Sequence, residues 1–442
     1  MPWRRTLQRN LIVSNRLPVT VEIGEDGDYS YQRSIGGLAI GLGSIYQSYQ
    51  GAWIGWPGIL MEGETGEQAR AIEDRLREEH CYPIFLSRKE FEGYYNGFSN
   101  RTIWPLFHYF THYTVFDPRF WEDYVRVNRK FADRVAEFAA EEDTIWIHDY
   151  HLMLLPGMLR ERLPDASIGF FLHIPFPSYE IFRLLFCRRE ILEGLLGADL
   201  VGFHTFEYVN HFLKSVARIL GRDHENTVIK LHDRPVRVDA FPMGIDYERF
   251  RTAVHSPEVE SERERIRSDT GRGRVILSFD RMDYTKGIPQ RLEMFYWFLK
   301  EHPEYRGETT LIVVAVPSRT GISHYRQLKR RVDRLVGQIN GEFGTLEWTP
   351  VRYMNQFLPF STLVALYSMA DVALVTPLRD GMNLMAKEYL ACKEGGNGAL
   401  ILSEFAGAAG ELSEAVIVNP HDTGRYMAGL EQALSMSQLE IA

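Results

Sequence analysis

Short apolar runs closed by polar or turn residues recur along the chain: LIVSN (11–15), TIWIHD (144–149), SIGFFLH (167–173), DLVGFH (199–204), RVILSFD (274–280), TLIVVAVP (310–317), DVALVTP (371–377), ALILSEF (399–405) and AVIVNP (415–420). Many are apolar at both odd and even positions. A strand that is apolar on both faces has to be covered on both, and helices supply the cover. Helix-like segments do lie between the runs, at 151–163, 178–197, 288–303 and 361–370. This alternation predicts an α/β fold with mostly parallel sheets.

The chain has 442 residues, and a single core rarely grows past about 250–300. The strand-and-helix pattern is broken once, by the charged stretch 248–273 (ERFRTAVHSPEVESERERIRSDTGRG), which reads as a helix plus a linker. A boundary near Gly244–Asp246 gives two doubly wound domains, 1–245 and 246–442. Two such domains facing each other would hold ligands beyond the carboxyl ends of their strands.

Hydrophobic residues make up 45% of the chain and charged residues 25%, with a formal net charge of −9. That balance argues against a broad nucleic-acid surface, which needs clustered Lys and Arg. Cys81, Cys187 and Cys392 are scattered and odd in number, as expected of free thiols in a reducing compartment. The basic start, MPWRRTLQRNLIVSNR, has only Leu11–Val13 as an apolar stretch. A signal peptide needs roughly 7–15 apolar residues, so a cytoplasmic protein without a membrane partner is expected.

If ligands sit at strand ends, the residues just after each run are the candidates. Ser14-Asn15-Arg16 follow the first, and Gly36-Gly37 next offer either a tight turn or close backbone approach to a ligand. Asp149 and His151 follow 144–148, and His173 closes 167–173; histidines there can bind sugar hydroxyls or move protons. Arg281 and Lys286 lie on the loop FDRMDYTKG, where a planar fork and a point charge would suit phosphate oxygens. Arg319 follows the run at 310–317. In PLRDGMNLMAKEY, Asp380 either caps a helix or accepts sugar hydroxyls. The amides of Gly381, Met382, Asn383 and Leu384 form an anion site at the helix start, and Glu388 can accept from a ribose diol. The aromatic-rich segment 92–108 holds Tyr95 and Trp104, suited to packing on sugars or in a core.

VSNRLPV, SIGGLA, YYNGFSNRTIWPLFH, IWIHDYHL, GFFLHIPFPS, DRMDYTKG, VAVPSR, INGEFG, WTPVRY and TPLRDGMNLMAKEY stand in the order in which the trehalose-6-phosphate synthase family carries them. The chain resembles that family from about residue 11 to residue 420. The resemblance implies two Rossmann-like domains in the B-type glycosyltransferase arrangement, and transfer of glucose from a nucleotide diphosphate glucose, UDP-glucose being the expected donor, to glucose 6-phosphate. The transfer would retain configuration and use no cofactor or metal. By the same resemblance Arg281, Lys286, Asp380 and His173 are catalytic. Gly37, Met382, Asn383, Leu384 and Glu388 join them in holding the donor. Arg16, Tyr95, Trp104 and Arg319 meet the acceptor phosphate, while Trp53 and Asp149 line its sugar. Two features depart from the family pattern. The basic leader has no counterpart, and little chain follows IVNP to build a C-terminal helix that crosses back, as in a truncated chain. Three matters stay open: the nucleobase, a fused phosphatase, and assembly into a homo-oligomer. Two rival readings remain. One is a sister enzyme that uses glycerol 3-phosphate, against which Trp53 and Asp149 suit a hexose. The other is a non-catalytic subunit that senses sugar phosphate, against which the clamp residues are intact.

Overall fold

The computed structural model describes residues 9–440 apart from 25, 27, 34–50, 63–65, 141, 272, 320, 394 and 438–439. Gly37 therefore lies outside the described residues. The chain divides into two compact units, Met1–Met243 and Gly244–Ala442.

In the first unit the strands are β1 (Asn10–Arg16), β2 (Val19–Ile23), β3 (Tyr29–Arg33), β4 (Ala52–Trp56), β5 (Cys81–Pro83), β6 (Thr144–His148), β7 (Ser167–Phe171), β8 (Leu200–Phe203), β9 (His224–Glu225), β10 (Val228–Lys230) and β11 (Pro235–Ala240). The main sheet runs β5-β4-β1-β6-β7-β8-β11-β10-β9, parallel except for β9 and β10 at one edge. Leu11, Ile12 and Val13 are at most 1% exposed, as a run apolar on both faces requires. From β1 the chain winds outward to β4 and β5, then returns to lay β6 on the opposite side of β1. The order of winding thus reverses between β1 and β6, and such a reversal opens a crevice at the carboxyl ends.

The segment 178–197, expected as one helix, is broken into Tyr179–Phe182 and Arg188–Leu195. Between them burial alternates: Leu185 and Cys187 are buried, while Leu184 and Phe186 are exposed. A period of two cannot be met by a continuous helix. Residues Phe91–Ile103 wind as a wide π-helix, with the Trp104 amide donating to the Ser99 carbonyl five residues back. Gly93 and Gly97 let it close on the helix Pro118–Phe138. A Cβ on Gly93 would stand 1.9 Å from Asp123 Oδ2, and one on Gly97 would stand 2.6 Å from the Phe120 ring.

The second unit has β12 (Arg274–Arg281), β13 (Thr309–Val316), β14 (Val351–Met354), β15 (Val372–Val375), β16 (Ala399–Ser403) and β17 (Val416–Val418). Their order is β14-β13-β12-β15-β16-β17, all parallel, with the reversal between β12 and β15. The charged stretch forms two helices, Tyr247–Ala253 and Pro257–Thr270. Among the described residues no helix is long and apolar enough to cross a membrane.

Candidate functional site

Each reversal of strand order gathers polar side chains. In the first unit Arg16 is the last residue of β1 and Trp56 the last of β4. The Arg16 guanidinium lies over the Trp56 ring, 4.6 Å from its centroid, and burial pulls its pKa below the usual arginine value. Gly58, at φ +98, makes room for it: a Cβ there would stand 2.8 Å from Arg16 Nη1. Tyr95, carried by the π-helix, is 6.0 Å from Trp56 and stacks on His151 at 5.7 Å and 9°. The sequence pointed to Arg16 and Tyr95 but not to Trp56. The strand-end rule would have found it had the AWIGW run been read as a strand.

Trp53 and Trp104 are core side chains, 1% and 4% exposed. The Trp53 indole donates to Ser14 Oγ at 2.7 Å, and the Trp104 ring packs against His108 and Tyr150. Asp149, immediately after β6, sits at φ +77 and ψ 168, a region that costs residues other than glycine about 1–3 kcal/mol. Its Oδ1 accepts from the main-chain N–H of His173 at 3.2 Å, so the strained turn after β6 holds the end of β7.

His173 is further fixed through its ring. Its Nε2 is 3.0 Å from Nδ1 of His148, the last residue of β6. The His204 ring, just past β8, meets it edge-on at 5.6 Å. Burial drives the pKa of His148 down to about 3. Burial also lowers that of His173, aided by the neighbouring His148 and His204. Both rings are therefore neutral near pH 7. Sequence reasoning passed over His148, the last residue before Asp149, and His204, although His204 closes its run just as His173 does.

In the second unit the loop after β12 faces the loop after β15. Arg281 is the exposed last residue of β12. Lys286 is 7% exposed, and its Nζ donates to Asp380 Oδ2 at 2.5 Å. The same carboxylate accepts from Asn383 Nδ2 at 3.0 Å and from the Gly381 amide at 3.0 Å. The helix Leu384–Ala391 is capped by Asn383, whose side chain accepts from the Ala386 amide, and not by Asp380. Asn383 adopts φ +73, a left-handed turn that Asn tolerates better than most residues. The amides of Met382 and Asn383 thus precede the helix proper, and Leu384 begins it. One turn on, Glu388 Oε2 accepts from the buried Tyr367 hydroxyl at 2.8 Å. Burial raises the Glu388 pKa, only partly offset by that hydrogen bond.

Arg319 is ion-paired, its Nη1 2.6 Å from Asp283 Oδ2 and 3.0 Å from the Tyr325 hydroxyl. Asp283 is fully buried. Burial pushes its pKa up, yet Arg319, Arg281 and the Thr285 amide outweigh that and leave it below the ordinary value. Beneath the loop lies Arg291, 0% exposed, which donates to Ser278 Oγ, Asp280 Oδ2, Thr376 Oγ1 and the Lys286 carbonyl. Thr376 in turn meets the Tyr426 hydroxyl at 2.8 Å. Lys286 is thus anchored through its own backbone by a cation that the surface does not reveal. Among the described residues, no three His, Cys, Asp or Glu side chains gather as a metal site.

Comparison with known proteins bears on the family and the fold. The model of glycosyltransferase family 20 matches residues 8–441. A bifunctional trehalose-6-phosphate synthase/phosphatase of Thermoproteus tenax is 48% identical over 98% of this chain, which spans 59% of that relative's length. The UDP-forming alpha,alpha-trehalose-phosphate synthase of Pichia angusta is 44% identical over 97% of this chain and 92% of its own. Among solved structures, the UDP-forming alpha,alpha-trehalose-phosphate synthase of Burkholderia xenovorans in complex with glucose-6-phosphate superposes with a TM-score of 0.86. It is 33% identical and covers 98% of this chain and 93% of its own.

Proposed function

The chain belongs to glycosyltransferase family 20, and on that premise we propose that it moves glucose from UDP-glucose to glucose 6-phosphate with retention, making trehalose 6-phosphate. The observation that carries this reading is the cluster at the β12–β15 reversal. There a buried lysine is held against a carboxylate, with a left-handed Asn turn and a tyrosine-held glutamate alongside. A departing nucleoside diphosphate needs preorganised positive charge, and Lys286 and Arg281 supply it. The amides of Met382, Asn383 and Leu384 add donors, Glu388 accepts from the ribose diol, and Gly37 approaches the donor. Asp380 and His173 orient the glucose by its hydroxyls.

The acceptor phosphate is assigned to Arg16, Tyr95 and Arg319 and its sugar to Asp149, with Trp104 and Trp53, also expected at the acceptor, acting as buried core side chains. On this reading most acceptor contacts come from 1–245 and most nucleotide-sugar contacts from 246–442, with Arg319 assigned to the acceptor and Gly37 and His173 to the donor. The leaving phosphate oxygen takes the proton of the attacking hydroxyl on the same face, and Asp380 positions without forming a bond to the sugar. The relatives described as UDP-forming support uridine as the base. The test is a product assay pairing UDP-, ADP- and GDP-glucose with glucose 6-phosphate or glycerol 3-phosphate. Trehalose 6-phosphate from the UDP-glucose and glucose 6-phosphate pair is expected. Transfer to glycerol 3-phosphate alone, or no transfer, overturns the reading.

A further inference from the structure

Two neutral imidazoles 3.0 Å apart can share only one hydrogen, and which ring supplies it fixes the tautomer of both. His148 is fully buried, and its other nitrogen, Nε2, has no hydrogen-bond partner among the described residues. If His148 carried its proton there, a buried N–H would be left unpaired, an arrangement that folded proteins rarely leave standing. With the proton on Nδ1, the unpaired atom is a bare ring lone pair, and Nδ1–H donates to His173 Nε2. The geometry points to His148 as a positioning residue that fixes His173 in its Nδ1–H form. This rests on the proposed role of His173 toward the donor glucose.

The consequence reaches the reaction through His173 alone. With Nε2 occupied as an acceptor, the ring offers a ligand a hydrogen-bond donor at Nδ1 and nothing that accepts. The Asp149 carboxylate holds the His173 main chain at the same time, so backbone and ring are fixed by different neighbours. The His148 ring also lies 4.5 Å from the Trp146 ring, tilted at 51°.

Nitrogen-15 NMR of the histidine rings in the ligand-free protein tests this without reference to turnover. His173→Gln assigns the His173 signals. The expected spectrum has His173 protonated at Nδ1, and an Nε2–H spectrum overturns the inference. Variants give the second arm. His148→Asn keeps a donor near the Nδ1 position and retains transfer within a few-fold. His148→Phe removes the donor and lowers kcat on the order of 10–100-fold, the scale known for partners that orient metal-ligating histidines. Equal losses in both, at unchanged melting temperature, overturn the inference. If wild-type protein transfers no glucose yet shows the Nδ1–H spectrum, the functional reading fails and the tautomer assignment stands.

Discussion

Lys286 Nζ and Asp380 Oδ2 meet at 2.5 Å although 94 residues separate them, joining the loop after β12 to the loop after β15. The lysine is thus ion-paired with a carboxylate of the protein itself. A diphosphate bound there would share or displace that partner, and the carboxylate sets where the Lys286 ammonium points. The Arg291 bond to the Lys286 carbonyl fixes the same residue from below.

Lys286→Ala should lower kcat by about 10²–10³-fold, the usual loss when one preorganised charge near the reacting centre is removed. Arg281→Ala should act in the same direction. Steady-state rates with UDP-glucose and glucose 6-phosphate check both. Loss confined to KM would mean that these charges bind the ground state and transition state equally.

Arg16→Ala should weaken use of glucose 6-phosphate by about 10–100-fold, the scale of one charge-assisted hydrogen bond, while leaving use of free glucose unchanged. A competition assay with the two acceptors decides it. Arg319→Ala should share the phenotype, but it also strands buried Asp283. The double variant Asp283→Asn/Arg319→Ala separates the two effects.

Arg291→Met should destabilise the second unit by about 3–5 kcal/mol, because it leaves Asp280 buried without its cation. Adding Asp280→Asn should restore part of that loss in denaturant titrations. No recovery would mean that the hydrogen bonds to Ser278, Thr376 and the Lys286 carbonyl outweigh the ion pair.

Asp283 sets an acid-side dependence. Its folded pKa is lowered, so the unfolded chain takes the proton first. The stabilisation is present above the unfolded value, about 3.9, and is lost as pH falls through the folded one. Melting temperatures measured downward from pH 5 should therefore fall more steeply in wild type than in Asp283→Asn.

Same-face transfer leaves no sugar on the protein. Mass spectra after incubation with UDP-glucose alone should show the unmodified chain, and a glucosyl adduct on Asp380 or Asp149 would refute the mechanism.

The parallel strands were legible because their burial on both faces writes itself as unbroken apolar runs, and the strand-end rule then led to Arg16, Asp149, His173, Arg281 and Arg319. What was not legible has a common cause. β4 begins beside a glycine and carries two tryptophans and a glycine, so it lacks an aliphatic run, and Trp56 went with it. The π-helix has no 3.6-residue periodicity to find. Arg291 lies in the otherwise amphipathic segment 288–301, and only the fold reveals that it points inward. Asp380 shows the limit of local reading. An acid before a helix suggests a cap, and the partner that overrides this is a lysine from another loop.

Position 149 pits durability against use. Glycine there would relieve the backbone, since φ +77 with ψ 168 is open to glycine and costly to aspartate. It would also delete the oxygen that pins the end of β7. A library of this chain screened only for surviving heat would therefore weigh at that site a relaxed turn against the hydrogen bond that the bent one secures.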